Sequence, residues 1–155
     1  MEFIMRRKFF IFLMGMFFVG STFAGVSSAD MKEDTLALVK KGAEYIQKNG
    51  VEKAAEAFQG KEFKKGDLYL FAYDYKGNCL AQGAKPQLIG KNLWNLKDPS
   101  GKFIIRESVE IAKKGGGWLE YQWMHPYKKK LMEKESYIMP IEGQDVYVAC
   151  GFFKD

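Results

Sequence analysis

The run Gly66-Asp67-Leu68-Tyr69-Leu70-Phe71-Ala72-Tyr73-Asp74-Tyr75-Lys76-Gly77-Asn78-Cys79-Leu80-Ala81-Gln82 reads as one β-hairpin. Residues 68–73 are aromatic and β-favouring, residues 74–78 hold turn formers including Gly77, and residues 79–82 resume an extended run. Upstream the period changes. Leu36, Val39, Ala43 and Ile46 recur at spacings of three and four, which places them on one helical face. Asp30 with Glu33 resembles a capping box opening that helix, and Asn49-Gly50 stops it. Residues 51–59 form a shorter second helix closed by Gly60. Downstream, residues 83–101 are rich in Gly, Pro, Asn and Lys and read as a structured loop with short helical turns. Asp98-Pro99 looks like an N-cap followed by proline at the first helical position, which predicts a helix to about Lys114. Gly115-Gly116-Gly117 ends it, and strands follow at residues 118–123, 133–141 and 146–153.

Helix, helix, two strands, helical insert and three strands make an α+β domain. The long N-terminal helix is expected on one face of the sheet and the insert on the other. A cavity between sheet and insert is then the natural ligand site.

The N-terminus carries an export pattern. Arg6, Arg7 and Lys8 precede an uncharged run over residues 9–20, and small residues end at Ser27-Ser28-Ala29. This predicts a signal peptide over residues 1–29 and one exported domain over residues 30–155. The alternative is an uncleaved N-terminal helix tethering the domain to the membrane. Losing Arg6, Arg7, Lys8 and Glu2 takes the formal net charge from +5 to +3. That mild excess is spread along the chain. Its single run, Lys128-Lys129-Lys130, reads as a solvated turn, and nucleic acid is not an expected partner.

Several residues could carry chemistry. Arg106 is the only arginine beyond the signal, and its planar fork matches a carboxylate in two hydrogen bonds. From the insert helix it would reach into the cavity; otherwise it pairs with Glu110 one turn on. In a hairpin centred near Lys129, Tyr121 faces Tyr137 and Trp123 faces Glu135, so Tyr121, Trp123 and Tyr137 share a face. That face is either a pocket wall with polar tips or ordinary core. His125, the only histidine, reads as exposed in a turn beside Pro126. No Cys/His set has zinc or haem spacing, and no phosphate loop, calcium loop or nucleophile elbow is present, so neither cofactor, metal nor catalytic residues are expected.

The hairpin quoted above, with Tyr73-Asp74-x-x-Gly77, resembles the first hairpin of single Cache domains of the second subfamily. So do Pro86-Gln87-Leu88-Ile89-Gly90-Lys91-Asn92-Leu93 and Leu96-Lys97-Asp98-Pro99-Ser100-Gly101-Lys102. The Trp118 strand with Tyr121 and Trp123, the Ser136-Tyr137 strand and the closing Cys150-Gly151-Phe152 complete a match over nearly all of residues 31–154. The resemblance implies a PAS-like five-stranded antiparallel sheet. Counted from the N-terminus, its strands lie in the spatial order 2-1-5-4-3. It also implies a periplasmic, non-enzymatic sensor binding a small carboxylate or amino acid, with a membrane receptor or histidine kinase as possible partner. A free-standing binding module without its own output domain is expected, and the alternative function is docking to such a partner with a vestigial pocket.

Lys134 resembles a ligand-contacting lysine that often precedes the Ser-Tyr pair. Strict alternation puts it on the face opposite Tyr137. With the implied strand order, Cys79 and Cys150 are separated by an intervening strand. Two inter-strand steps of roughly 4.8 Å exceed the reach of a disulfide, so free thiols are expected although the compartment is oxidising.

Overall fold

The computed structural model describes residues 27–154, so residues 1–26 of the expected signal lie outside the described residues. Helix α1 spans Ser28–Asn49, α2 Val51–Ala57 and α3 Ile104–Lys113. Strands are β1 (Lys64–Lys65), β2 (Leu68–Asp74), β3 (Cys79–Gln82), β4 (Gly117–Met124), β5 (Leu131–Pro140) and β6 (Val146–Phe153). The antiparallel order is β3-β2-β6-β5-β4, with the two-residue β1 sharing the outer edge of β2. Apart from β1, this is the PAS-like order that the resemblance implies.

α1 begins a turn earlier than its sequence suggests. Ser27 caps it, accepting from Asp30 N–H while the Asp30 carboxylate accepts from Ser27 N–H, each at 3.1 Å. Ser27, through its side chain first and its backbone N–H second, holds the Asp30 carboxyl below its ordinary range. The buried stripe is Thr35, Leu38, Val39, Gly42 and Ile46. Gly42 lets the helix sit close: a Cβ there would stand 2.6 Å from Leu70 Cδ1.

β2 and β6 have both faces covered, which explains their unbroken apolar runs. One face packs Leu70, Ala72, Val148, Cys150 and Phe152 under α1 and α2. The other packs Tyr69, Phe71, Tyr73, Tyr147 and Ala149 under α3 and the insert loop. The Asp74-x-x-Gly77 turn is closed by Asp74 Oδ1, which accepts from Lys76 and Asn78 N–H at 3.0 and 2.8 Å. Gly77 sits at φ +91° with Trp94 backbone only 3.0 Å from where a Cβ would stand, so glycine is required.

The insert helix starts at Ile104, six residues after Asp98. Asp98 caps no helix. Its Oδ1 accepts from Ser100 N–H and Oγ and from Lys102 N–H, and its Oδ2 accepts from Gln122 N–H on β4 at 3.1 Å. Burial opposes ionisation there, but these donors outweigh it and hold the carboxyl down at about 2.

The β4–β5 register also departs from expectation. Tyr121 faces Lys134, Trp123 faces Met132 and Trp118 faces Tyr137. The shift is three residues, an odd number, so Tyr137 moves to the opposite face from Tyr121 and Trp123. The cause lies in the turn. His125 is buried, at 1% exposure, rather than exposed. Its Nδ1 accepts from Tyr127 and Lys128 N–H at 3.2 Å each, so Nε2 carries the proton given to Asp67 at 3.2 Å. The ring packs on Phe153 at 4.4 Å.

Cys79 and Cys150 are free and buried. Cys150 lies opposite Leu70 in the core under α1, and Cys79 opposite Tyr73 in the core under α3. The sheet separates them, a stronger obstacle than strand spacing. Alkylation of the denatured protein without prior reduction is expected to add two labels by intact mass; no label until reductant is added would contradict this geometry.

Candidate ligand-binding site

Residues i, i+2 and i+4 of a strand share one face, and on β2 these are three aromatics, Tyr69, Phe71 and Tyr73. On that face, between the sheet and α3, lies a cavity. Tyr69, Phe71 and Tyr73 form its floor with Gln82 of β3, Tyr121 and Trp123 of β4 and Lys134 of β5. Ile104, Ile105 and Ser108 of α3 form its roof. The enclosed cavity is about 20 Å³, opening into about 300 Å³ of empty space that includes the mouth. A single water needs roughly 10–15 Å³, so the closed chamber is small.

Lys134 dominates the chemistry. Its side chain is 1% exposed, and Nζ donates to Tyr69 Oη at 2.9 Å. The ammonium stands 4.1 Å from the Tyr69 ring centre, 4.9 Å from Phe71 and 5.2 Å from Phe153. Among the described residues no carboxylate forms an ion pair with it. Ring faces repay part of the desolvation of a cation, about 0.5–2 kcal/mol each, far from the full cost. Burial therefore drives the Lys134 pKa down to about 7, and the nearby Lys85 charge adds to the fall. Tyr121 Oη shares a hydrogen bond with Ser136 Oγ at 3.0 Å. Burial pushes the Tyr69 and Tyr121 hydroxyls well above their usual range, so both keep their protons. Gln82 has its Oε1 engaged by Ala84 N–H at 3.2 Å. The chamber thus presents one cation, neutral hydroxyls and apolar walls, without a fixed anion.

The expected residues divide accordingly. Tyr121, Trp123 and Lys134 come together in the chamber. Tyr137 does not: it packs on the α1 face against Trp118, with ring centres 5.2 Å apart. Arg106 does not line the chamber either. Its Nε donates to Trp94 O at 3.1 Å, its Nη2 to Asn95 Oδ1, and its guanidinium stacks 3.9 Å from the Phe103 ring centre. The fork is occupied in bracing the insert loop. Tyr69, Phe71 and Tyr73 were missed, although their alternation is visible in the sequence. A strand buried on both faces gives no sign of which face borders a cavity.

A wider surface groove at the start of α1 is lined by Lys32, Glu120, Glu135 and Lys154. Glu135 there pairs with Lys32 at 2.8 Å and Lys154 at 3.3 Å, so its charges satisfy one another. Among the described residues no helix is long and apolar enough to cross a membrane, and no cluster could hold a metal.

The Single Cache domain 2 family matches residues 30–155. The sensor histidine kinase MctS of Rhizobium johnstonii is 33% identical over 89 residues, which are 57% of this chain and 19% of that protein. The chain thus spans about a fifth of that relative's length. The crystal structure of a methyl-accepting chemotaxis protein from Vibrio parahaemolyticus superposes with a TM-score of 0.70 at 28% identity, covering 80% of this chain and 88% of that one. A Cache chemosensory domain studied for carboxylic acid recognition superposes with a TM-score of 0.69 at 20% identity, covering 83% and 99%. Cache domains are the extracytoplasmic, non-catalytic ligand-sensing modules of chemoreceptors and sensor kinases, and this chain belongs to the Single Cache domain 2 family.

Proposed function

We propose that this domain is exported and reversibly binds a short monocarboxylate in the chamber under α3, with Lys134 as counter-ion. The observation that carries this reading is a buried lysine without an acidic partner, because such a charge is stable only when an anion arrives or the proton leaves. Tyr69 and Tyr121 would orient the carboxylate, while Trp123, Phe71, Ile104 and Ile105 would enclose its apolar end. Arg106 is assigned to loop bracing and Tyr137 to the core. Even a two-carbon acid would have to widen the closed chamber, which favours short ligands, and the similar Cache chemosensory domain recognises a carboxylic acid. Ligand occupancy would be reported to a membrane receptor or sensor kinase, as expected from the protein in which the MctS match resides.

A ladder of straight-chain carboxylates tests this by titration calorimetry. Two- and three-carbon acids are expected to bind, and five-carbon acids to bind at least tenfold more weakly. The ceiling of about −1.5 kcal/mol per non-hydrogen atom limits a four-atom ligand to about −6 kcal/mol, or tens of micromolar. Failure of every short carboxylate and amino acid to bind would leave the pocket vestigial and favour a docking role.

A further inference from the structure

The large hydrophobic residues exposed in the described chain fall within eight positions: Met124 at 40%, Tyr127 at 64% and Leu131 at 45%. They cluster in space as well. Met124 and Leu131 are cross-strand partners at the end of the β4–β5 hairpin, and Tyr127 stands on the loop between them. Lys129 and Lys130 are exposed on the same loop. Lys85 lies nearby over Trp123, and after burial the Lys129 charge is the second cause lowering its pKa.

The tip is rigidly built. His125 N–H donates to Lys130 O at 2.9 Å and Lys129 N–H to His125 O at 3.1 Å, on top of the His125 ring bonds already described. Lys129 is held at φ +53°, the one positive-φ non-glycine among the described residues. A buried histidine that fixes a loop and leaves tyrosine and lysines outside it makes a presented surface. Isolated apolar residues on a surface need no explanation, but a cluster rimmed by like charge does.

The position of the tip indicates its occupant. Lys32 meets Glu135 at 2.8 Å and Gln47 Nε2 approaches Glu142 O at 3.4 Å, so α1 and β5 run in the same direction. The start of α1 and the start of β5 therefore lie at the same end of the domain. From Glu135 to Leu131 is roughly 13 Å of strand, and from Lys32 to Ser28 roughly 6 Å of helix, so the tip projects beyond the helix start. The chain leading into Ser27 carries the uncharged run of residues 9–20, and the inference rests on the export proposed above, which would bring that run to the bilayer. Tyrosine and apolar side chains flanked by lysines suit an anionic headgroup layer.

We propose that the β4–β5 tip, through Met124, Tyr127 and Leu131 with Lys129 and Lys130, seats on an anionic lipid surface at the end of the domain where α1 begins. The contact is interfacial and reversible. It would hold Trp123 of the chamber wall, and Lys85 over its ring, close to the membrane.

The test uses the exported chain carrying Tyr127→Cys or, at the opposite end, Gln144→Cys, labelled with an environment-sensitive fluorophore. Cys79 and Cys150 are buried and do not label in the folded protein. With protein-free vesicles of phosphatidylglycerol and phosphatidylcholine, the label at 127 is expected to shift to the blue and be quenched by spin-labelled lipid. The label at 144 should do neither. Each lysine near an anionic surface is worth about fivefold in partitioning, so Lys129→Asn with Lys130→Gln should weaken it roughly 25-fold; asparagine tolerates the positive φ. No response at 127, an equal response with phosphatidylcholine alone, or unchanged partitioning of the double variant would overturn the proposal. A label at 127 that responds only when a receptor protein is added would overturn it too, assigning the tip to protein docking.

Discussion

Lys134→Met is expected to weaken carboxylate binding by at least 100-fold while leaving a folded domain. Methionine matches the length and apolar stem of lysine but supplies neither charge nor donor. The ligand would then have to leave water for a chamber whose walls are rings and isoleucines, with no cation to meet it. Removing one partner of a buried charge pair costs about 2–5 kcal/mol, and roughly 3 kcal/mol already exceeds 100-fold. The free protein should not suffer comparably, because the wild-type residue is itself a desolvated amine without an acidic partner. Loss of its 2.9 Å bond to Tyr69 Oη is offset by removal of that charge. Calorimetry for binding and thermal melts for folding separate the two effects. A cooperatively melting variant that binds within fivefold of wild type would remove Lys134 from the site.

Affinity is expected to fall by about tenfold per pH unit above pH 7, reaching roughly 100-fold by pH 9. In the free protein Lys134 has a pKa of about 7, lowered mainly by burial, so above that pH the amine is neutral and must take up a proton to hold an anion. Proton uptake at pH 8 should appear as a buffer-dependent binding enthalpy. Stability of the free protein moves the opposite way. A lysine depressed in the fold and ordinary when unfolded means that the unfolded chain binds more protons from about pH 7 upward, so stability rises with pH there. The window closes near pH 8.5. Beyond it the unfolded thiols ionise while Cys79 and Cys150, pushed up by burial to about 11 and about 12, do not, and stability falls. Tyr69 and Tyr121 stay protonated throughout. An affinity that is flat from pH 6 to 9 would contradict the role given to Lys134.

The part of the site that was legible depended on local pattern. Tyr121 and Trp123 stand two apart on one strand, so any register keeps them on one face; Tyr137 belongs to the next strand, and its face depended on a turn. Arg106 looked available because its chemistry is known from its type, whereas its use depends on where Trp94 O and Asn95 lie. Asp98-Pro99 has the composition of a helix start, but the nearest donors to Asp98 include Gln122 N–H from a strand 24 positions away.

The sequence by itself determined the α+β class, the strand segments and, through resemblance, the strand order and family. These rest on short-range signals: period two, period three to four, and glycine where φ is positive. Tertiary structure alone decided that His125 is buried and closes the β4–β5 turn, which sets the register and brings Lys134 beside Tyr69 and Tyr121. It also decided that α3 starts late enough to roof a chamber over β2. Both outcomes depend on contacts between residues distant in sequence, where burial and hydrogen-bond satisfaction outweigh local propensity.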